Sequence, residues 1–120
     1  MYGTSPEMLK RMYVKDSLKN QDGGFVFQVK NLIESGSMSG VAKVDVDGEE
    51  RPLEGVTVEL GGKVRPVSEI TWSSSLYVSY GATMTVFVPG ELDPGEHTIT
   101  LQLKVPELGR LAMPITDVVG

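Results

Sequence analysis

Period-two alternation of apolar and polar residues recurs along this chain and leaves little room for anything but an antiparallel β fold. In HTITLQLKV (97–105), Ile99, Leu101, Leu103 and Val105 alternate with Thr98, Thr100, Gln102 and Lys104. GFVFQV (24–29) sets Phe25, Phe27 and Val29 against Val26 and Gln28. VAKVDVD (41–47) sets Ala42, Val44 and Val46 against Lys43, Asp45 and Asp47. VTVEL (56–60) turns Val56, Val58 and Leu60 inward, and ATMTVFV (82–88) aligns Ala82, Met84, Val86 and Val88. Successive side chains on a strand point to opposite faces, so each stretch is expected to bury one face.

The punctuation is as regular as the strands. Asp47-Gly48 and Gly61-Gly62 suit tight turns, because glycine accepts a positive φ and aspartate tolerates it. PGELDPGE (89–96) stops one strand and starts the next. No stretch reads as a long amphipathic helix, although PEMLKRM (6–12) suits a short turn or two. Strands with turns about every ten residues predict an all-β fold, an antiparallel β-sandwich of immunoglobulin-like or jelly-roll-like type. A chain of 120 residues fits one domain and buries a core without staples. Residues 1–11 are expected as a flexible N-terminal arm and residues 12–120 as the sandwich domain.

Charge narrows the partners. The formal net charge is −5, and the basic residues are scattered, with no stripe to track phosphates. Nucleic acid is therefore not an expected partner. No apolar run approaches the ~20 residues of a membrane span. MYGTSPEMLKR lacks the apolar centre of a signal peptide. With no cysteine there is no disulfide scaffold. The expectation is a soluble, cytoplasmic chain without membrane contact.

Candidate chemistry is sparse. His97 is the only histidine and opens the clearest strand, a position that favours structure over catalysis. DVDGEE (45–50) lacks the twelve-residue ligand spacing of a calcium loop and reads as a hairpin turn with solvated acids. GGKV (61–64) fails as a phosphate loop, since Thr57 stands where a glycine is needed and Val64 where Ser or Thr is needed. Ser73, Ser74 and Ser75 lack the glycine-flanked elbow of a serine nucleophile. No catalytic residue and no metal ligand is assigned.

Two segments break the rhythm: NLIESGSMSG (31–40), and SEITWSSSLYVSYG (68–81), which concentrates Trp72, Tyr77 and Tyr80 among serines. Long loops on a rigid scaffold carry binding function. Loop aromatics pack on a core, fill a partner's pocket or stack on a sugar, and all three readings stay open. Met38 and Met113 sit in similarly irregular surroundings and suit an adaptable apolar patch. The candidate partner-interface residues are Met38, Trp72, Tyr77, Tyr80, Leu111 and Met113.

The order of these landmarks resembles the small (β) subunit of bacterial C-glycoside deglycosidases. VKDSLKN (14–20), VDVDGEERP (44–52), EGVTVELGGKVRPVSEI (54–70) and GATMTVFVPGELDPGEHTITLQLKV (81–105) carry the resemblance. NLIESGSMSG and RLAMPITDVVG (110–120) depart from it. The resemblance implies a non-catalytic β-sandwich bound to a larger α/β-barrel catalytic subunit in a higher-order hetero-oligomer. It places a divalent metal, usually manganese, and the acid/base residues in that partner, with no cofactor in this chain. The complex would be a lyase acting on the 3-oxo form of a C-glycoside, such as a flavonoid C-glycoside, and would break the carbon–carbon bond between sugar and aglycone. The rival readings are a carbohydrate-binding module, with Trp72, Tyr77 and Tyr80 as an exposed platform, and another accessory β-sandwich interaction domain.

Overall fold

The structure, a computed structural model, describes residues 5–120. The elements run α1 (Pro6–Met12), β1 (Lys19–Gln21), β2 (Gly24–Lys30), β3 (Gly36–Met38), β4 (Gly40–Val46), β5 (Glu49–Arg51), β6 (Thr57–Leu60), β7 (Lys63–Pro66), β8 (Leu76–Val78), β9 (Thr83–Pro89), β10 (Gly95–Val105) and β11 (Gly109–Val119). A five-stranded sheet has the order β1-β2-β9-β6-β7, a four-stranded sheet the order β11-β10-β4-β5, and β3 and β8 form a separate ribbon. Every pairing is antiparallel. The all-β sandwich expected from the alternation is what forms.

Both sheets turn their apolar faces to one core. Phe25, Phe27, Val58, Val86 and Val88 come from one sheet, and Val44, Ile99, Leu101, Met113 and Ile115 from the other, all fully buried. Burial of such side chains contributes about 1.5–3 kcal/mol each, which makes this core the main stabilising element. Phe25 and Phe27 stack at 6.2 Å between ring centroids, and the Arg51 guanidinium lies 5.6 Å from the Phe25 centroid. Arg51 also donates to the Pro89 carbonyl at 2.9 Å, so one side chain ties β5 to β9 across the two sheets.

Asp47 and Gly48 close the β4–β5 hairpin with φ of 52° and 88°, the pair of left-handed residues that a two-residue turn with matching twist requires. One inward assignment is corrected. The register of β4 on β10 passes from Lys43 opposite Gln102 to Val41 opposite Leu103, so Ala42 is the extra residue of a bulge. Val41, not Ala42, is therefore the buried side chain there.

PEMLKRM forms the short helix α1, with the Ser5 hydroxyl accepting from the Met8 amide at 3.2 Å as N-cap. Leu9 packs on the core and Met12 is buried. Of the expected arm, residues 1–4 lie outside the described residues.

The C-terminal β11 is as long as β10 and pairs with it residue for residue, from Gly109 opposite Val105 to Val119 opposite Gly95. It is an edge strand, and its edge is blunted. Thr98 turns its N–H and C=O toward Asp47, so the even-numbered residues of β10 face β4 and the odd ones face β11. Pro114, opposite Thr100, therefore puts its missing donor on the outer edge. The outward amide of Val118 is taken by its neighbour's carboxylate, Asp117 Oδ1, at 2.7 Å.

Candidate functional site: an apolar cleft under a two-stranded flap

The two irregular segments meet in space. Gly36 pairs with Val78, Ser37 with Tyr77 and Met38 with Leu76. Alternation gives this ribbon two faces: Met38 is buried and Leu76 and Val78 are half-buried, while Tyr77 on the other face is exposed. Asn31 fastens its ends. The Asn31 side-chain amide donates to the carbonyls of Glu34 (2.8 Å) and Val78 (3.1 Å), its carbonyl oxygen accepts from the Ile33 amide, and its backbone bonds Ala82 and Gly81.

Beneath the ribbon lies a cleft of about 90 Å³. Its walls include Met12, Val29, Met38, Met84, Leu103 and Met113, contributed by both sheets, the ribbon and the end of α1. Exposed Lys30, Glu34, Ser35 and Glu107 stand at its mouth. Of the six candidate interface residues, Met38, Leu111 and Met113 are thus buried in the wall of this cleft, not displayed on a surface.

Trp72, Tyr77 and Tyr80 are exposed, Trp72 most of all at 78%. Trp72 rides on a tight turn closed by reciprocal backbone bonds between Thr71 and Ser74 at 3.1 and 3.2 Å. Arg65 on β7 holds that turn, donating to the Glu69 carbonyl (3.0 Å), the Ser74 carbonyl (3.1 Å), the Ser74 hydroxyl (2.9 Å) and the Ser75 carbonyl (3.3 Å). A guanidinium suits this task because its planar fork presents several fixed donors at once. The large apolar surface of Trp72 is thus exposed to water on a hydrogen-bonded turn.

His97 has a structural partner that neither motif discloses alone. Its Nδ1 lies 2.7 Å from Asp47 Oδ2 and its Nε2 lies 2.7 Å from the Asp93 carbonyl oxygen. Both partners are acceptors, so this arrangement favours the doubly protonated ring. The Asp47 carboxylate and then the Asp93 carbonyl raise the His97 pKa above its ordinary value. The Thr98 amide and then His97 hold the Asp47 carboxyl below the usual range. With both nitrogens engaged, His97 offers no lone pair to a substrate or a metal. Among the described residues no group of three or more His, Asp or Glu side chains stands close enough to hold a metal ion. Among those residues, too, no helix is long and apolar enough to cross a membrane.

A second polar clasp sits at the sandwich edge. The Tyr13 hydroxyl donates to Asp117 Oδ2 at 2.6 Å and accepts from the Leu18 amide at 3.0 Å, and the Asp16 amide also reaches Asp117 Oδ2. Burial, and next the bond to Asp117, raises the Tyr13 pKa, while the Tyr13 hydroxyl is the chief cause of the lowered Asp117 pKa.

Fold and site together define a small antiparallel β-sandwich domain with a flap-covered apolar cleft and displayed aromatics. Over residues 8–120 the chain matches the family described as hydroxymethylglutaryl-CoA reductase, N-terminal domain, and it belongs to that family. No curated protein matches the chain.

Proposed function

We propose that this chain is a non-catalytic accessory domain that docks on a larger catalytic partner, as the small subunit of a heteromeric C-glycoside deglycosidase. The observation that carries the docking half of the proposal is Trp72, exposed yet held by the Arg65-clamped turn. Aromatic anchors on pre-ordered loops lose little conformational entropy on binding, and so they dominate interface energetics. The order of the landmarks VKDSLKN, VDVDGEERP, EGVTVELGGKVRPVSEI and GATMTVFVPGELDPGEHTITLQLKV supports the choice of partner.

In this reading the partner is an α/β barrel that holds a divalent metal, manganese by resemblance, and cleaves the carbon–carbon bond of a 3-oxo-C-glycoside. In this reading the metal ligands and the acid/base residues belong to the partner, and the described carboxylates and histidine of this chain, which form no cluster of three or more, serve the fold. The chain's contribution is to bind the partner and to order loops beside its active site, in a cytoplasmic complex.

The family match favours a second reading: the chain is the N-terminal domain accompanying a hydroxymethylglutaryl-CoA reductase. One assay separates the two. The complex isolated through a tagged chain is offered a 3-oxo-C-glycoside with manganese and, separately, hydroxymethylglutaryl-CoA with a reduced nicotinamide nucleotide as hydride donor. Release of the aglycone by the complex, with none from the chain alone, is the expected result. Reduction of hydroxymethylglutaryl-CoA without aglycone release moves the assignment to the second reading.

A further inference from the structure

We propose that the cleft under the β3–β8 ribbon is itself a binding site for a small, uncharged, apolar molecule carrying one aromatic ring or a short branched alkyl group. Volume sets the class. About 90 Å³ is well below the ~300 Å³ at which pockets for drug-sized ligands begin, and it approaches the ~150 Å³ of apolar cavities that stay dry and take up benzene.

The walls agree with that class. Met12, Met38, Met84 and Met113, four of the six methionines in the chain, converge there. Thioether side chains are unbranched and polarisable, so they re-pack around an aromatic ring at little cost. Above them, two strands of three residues each make a flap whose own pairing is weak, because a two-stranded ribbon is marginal without support.

Two of the uncharged polar side chains nearby, Asn31 and Ser35, are already committed. The Asn31 amide is spent on backbone carbonyls and on the Ile33 amide, and the Ser35 hydroxyl accepts from the Tyr80 amide at 2.8 Å. A sugar or nucleotide pushed past the mouth into the methionine-lined interior would leave polar groups unpaired there. At the mouth stand Glu34 and Glu107 with Lys30, an acidic majority that disfavours an anion. An apolar group gives up no hydrogen bonds on entry and gains dispersion contacts with the walls.

Gly36 gives a clean handle. Its φ lies outside the left-handed region, and a Cβ there would meet nothing nearer than Glu107 Oε1 at 3.6 Å. A side chain begun there starts beside Glu107, at the mouth, in ordinary van der Waals contact.

The test uses the whole chain alone, with 13C-methyl-labelled methionine and toluene as the probe, so loss of the proposed partner has no bearing on it. Saturable shifts at Met12, Met38, Met84 and Met113, with Met8 unmoved and a Kd of about 1 mM or tighter, are expected. In Gly36→Leu the affinity should fall by about tenfold or more while the urea midpoint holds. Val78→Phe, which fills the cleft from the flap, should act in the same direction. Shifts that stay linear in toluene, shifts as large at Met8, or equal binding by benzoate would each overturn the assignment. So would undiminished toluene binding in both variants.

Discussion

The Asp47 carboxylate, held in the tight turn between β4 and β5, takes the Nδ1 proton of His97 at 2.7 Å while its other oxygen takes the Thr98 amide at 2.9 Å. One residue thus forms the turn of its hairpin through its backbone and pins the start of the longest internal strand through its side chain. The only histidine of the chain is a clasp.

This clasp makes stability pH-dependent in a stated direction. The folded pKa of His97 is raised, so the folded chain keeps a proton that the unfolded chain releases. The contribution is complete below the unfolded value and fades as pH rises through the folded one. The Asp47 carboxyl is lowered, so its contribution is present above its unfolded value and fades as pH falls through the folded one. Urea midpoints should decline as pH rises through and above the ordinary histidine range near 6.5, and His97→Gln should flatten that decline. A flat native profile, or a decline kept in the variant, contradicts the clasp.

Tyr13→Phe removes the hydroxyl that serves Asp117 and the Leu18 amide together. Two partners then lose their hydrogen bonds in a partly buried setting, at a cost of about 1–3 kcal/mol. Denaturant unfolding measures it. A loss near zero would show that water replaces the hydroxyl freely.

Gly24 and Gly48 separate two reasons for glycine. A Cβ at Gly24 would collide with the Val88 carbonyl oxygen and stand 2.7 Å from the Phe87 ring, so Gly24→Ala should cost about 3 kcal/mol or more. Gly48 has a φ of +88° but open space around it, and Gly48→Ala should cost about 1 kcal/mol. Thermal unfolding of both variants ranks them, and the reverse order would contradict the β2–β9 packing.

Arg65→Ala should leave global stability within about 1 kcal/mol, since its bonds are exposed. Its effect is local: amide exchange at Thr71 and Ser74 should quicken, and Trp72 fluorescence anisotropy should fall. Unchanged exchange there would mean that the turn orders itself.

The strands were legible because alternation is local. Val56, Val58, Met84, Val86, Ile99 and Leu101 face the core as their spacing foretells. What failed to show depends on distant partners. The bulge at Ala42 exists only relative to β10. In β11, Leu111, Met113 and Ile115 alternate cleanly, but Pro114 in their midst disguises the strand, because its harmlessness depends on which side is the edge. Met38 lies in a stretch without alternation, and only Leu76 opposite it makes it part of a strand. DVDG and His97 were each visible, yet nothing in either stretch points to the other.

The most direct test of the accessory-domain account is the native mass of the complex that the tagged chain forms in its own host. The account predicts a stoichiometric heteromer with a partner of about 35–45 kDa, the size of an α/β barrel with insertions. It also predicts that Trp72→Ala weakens this complex without unfolding the chain. A lone 13.0 kDa monomer, or a complex indifferent to Trp72, would contradict it.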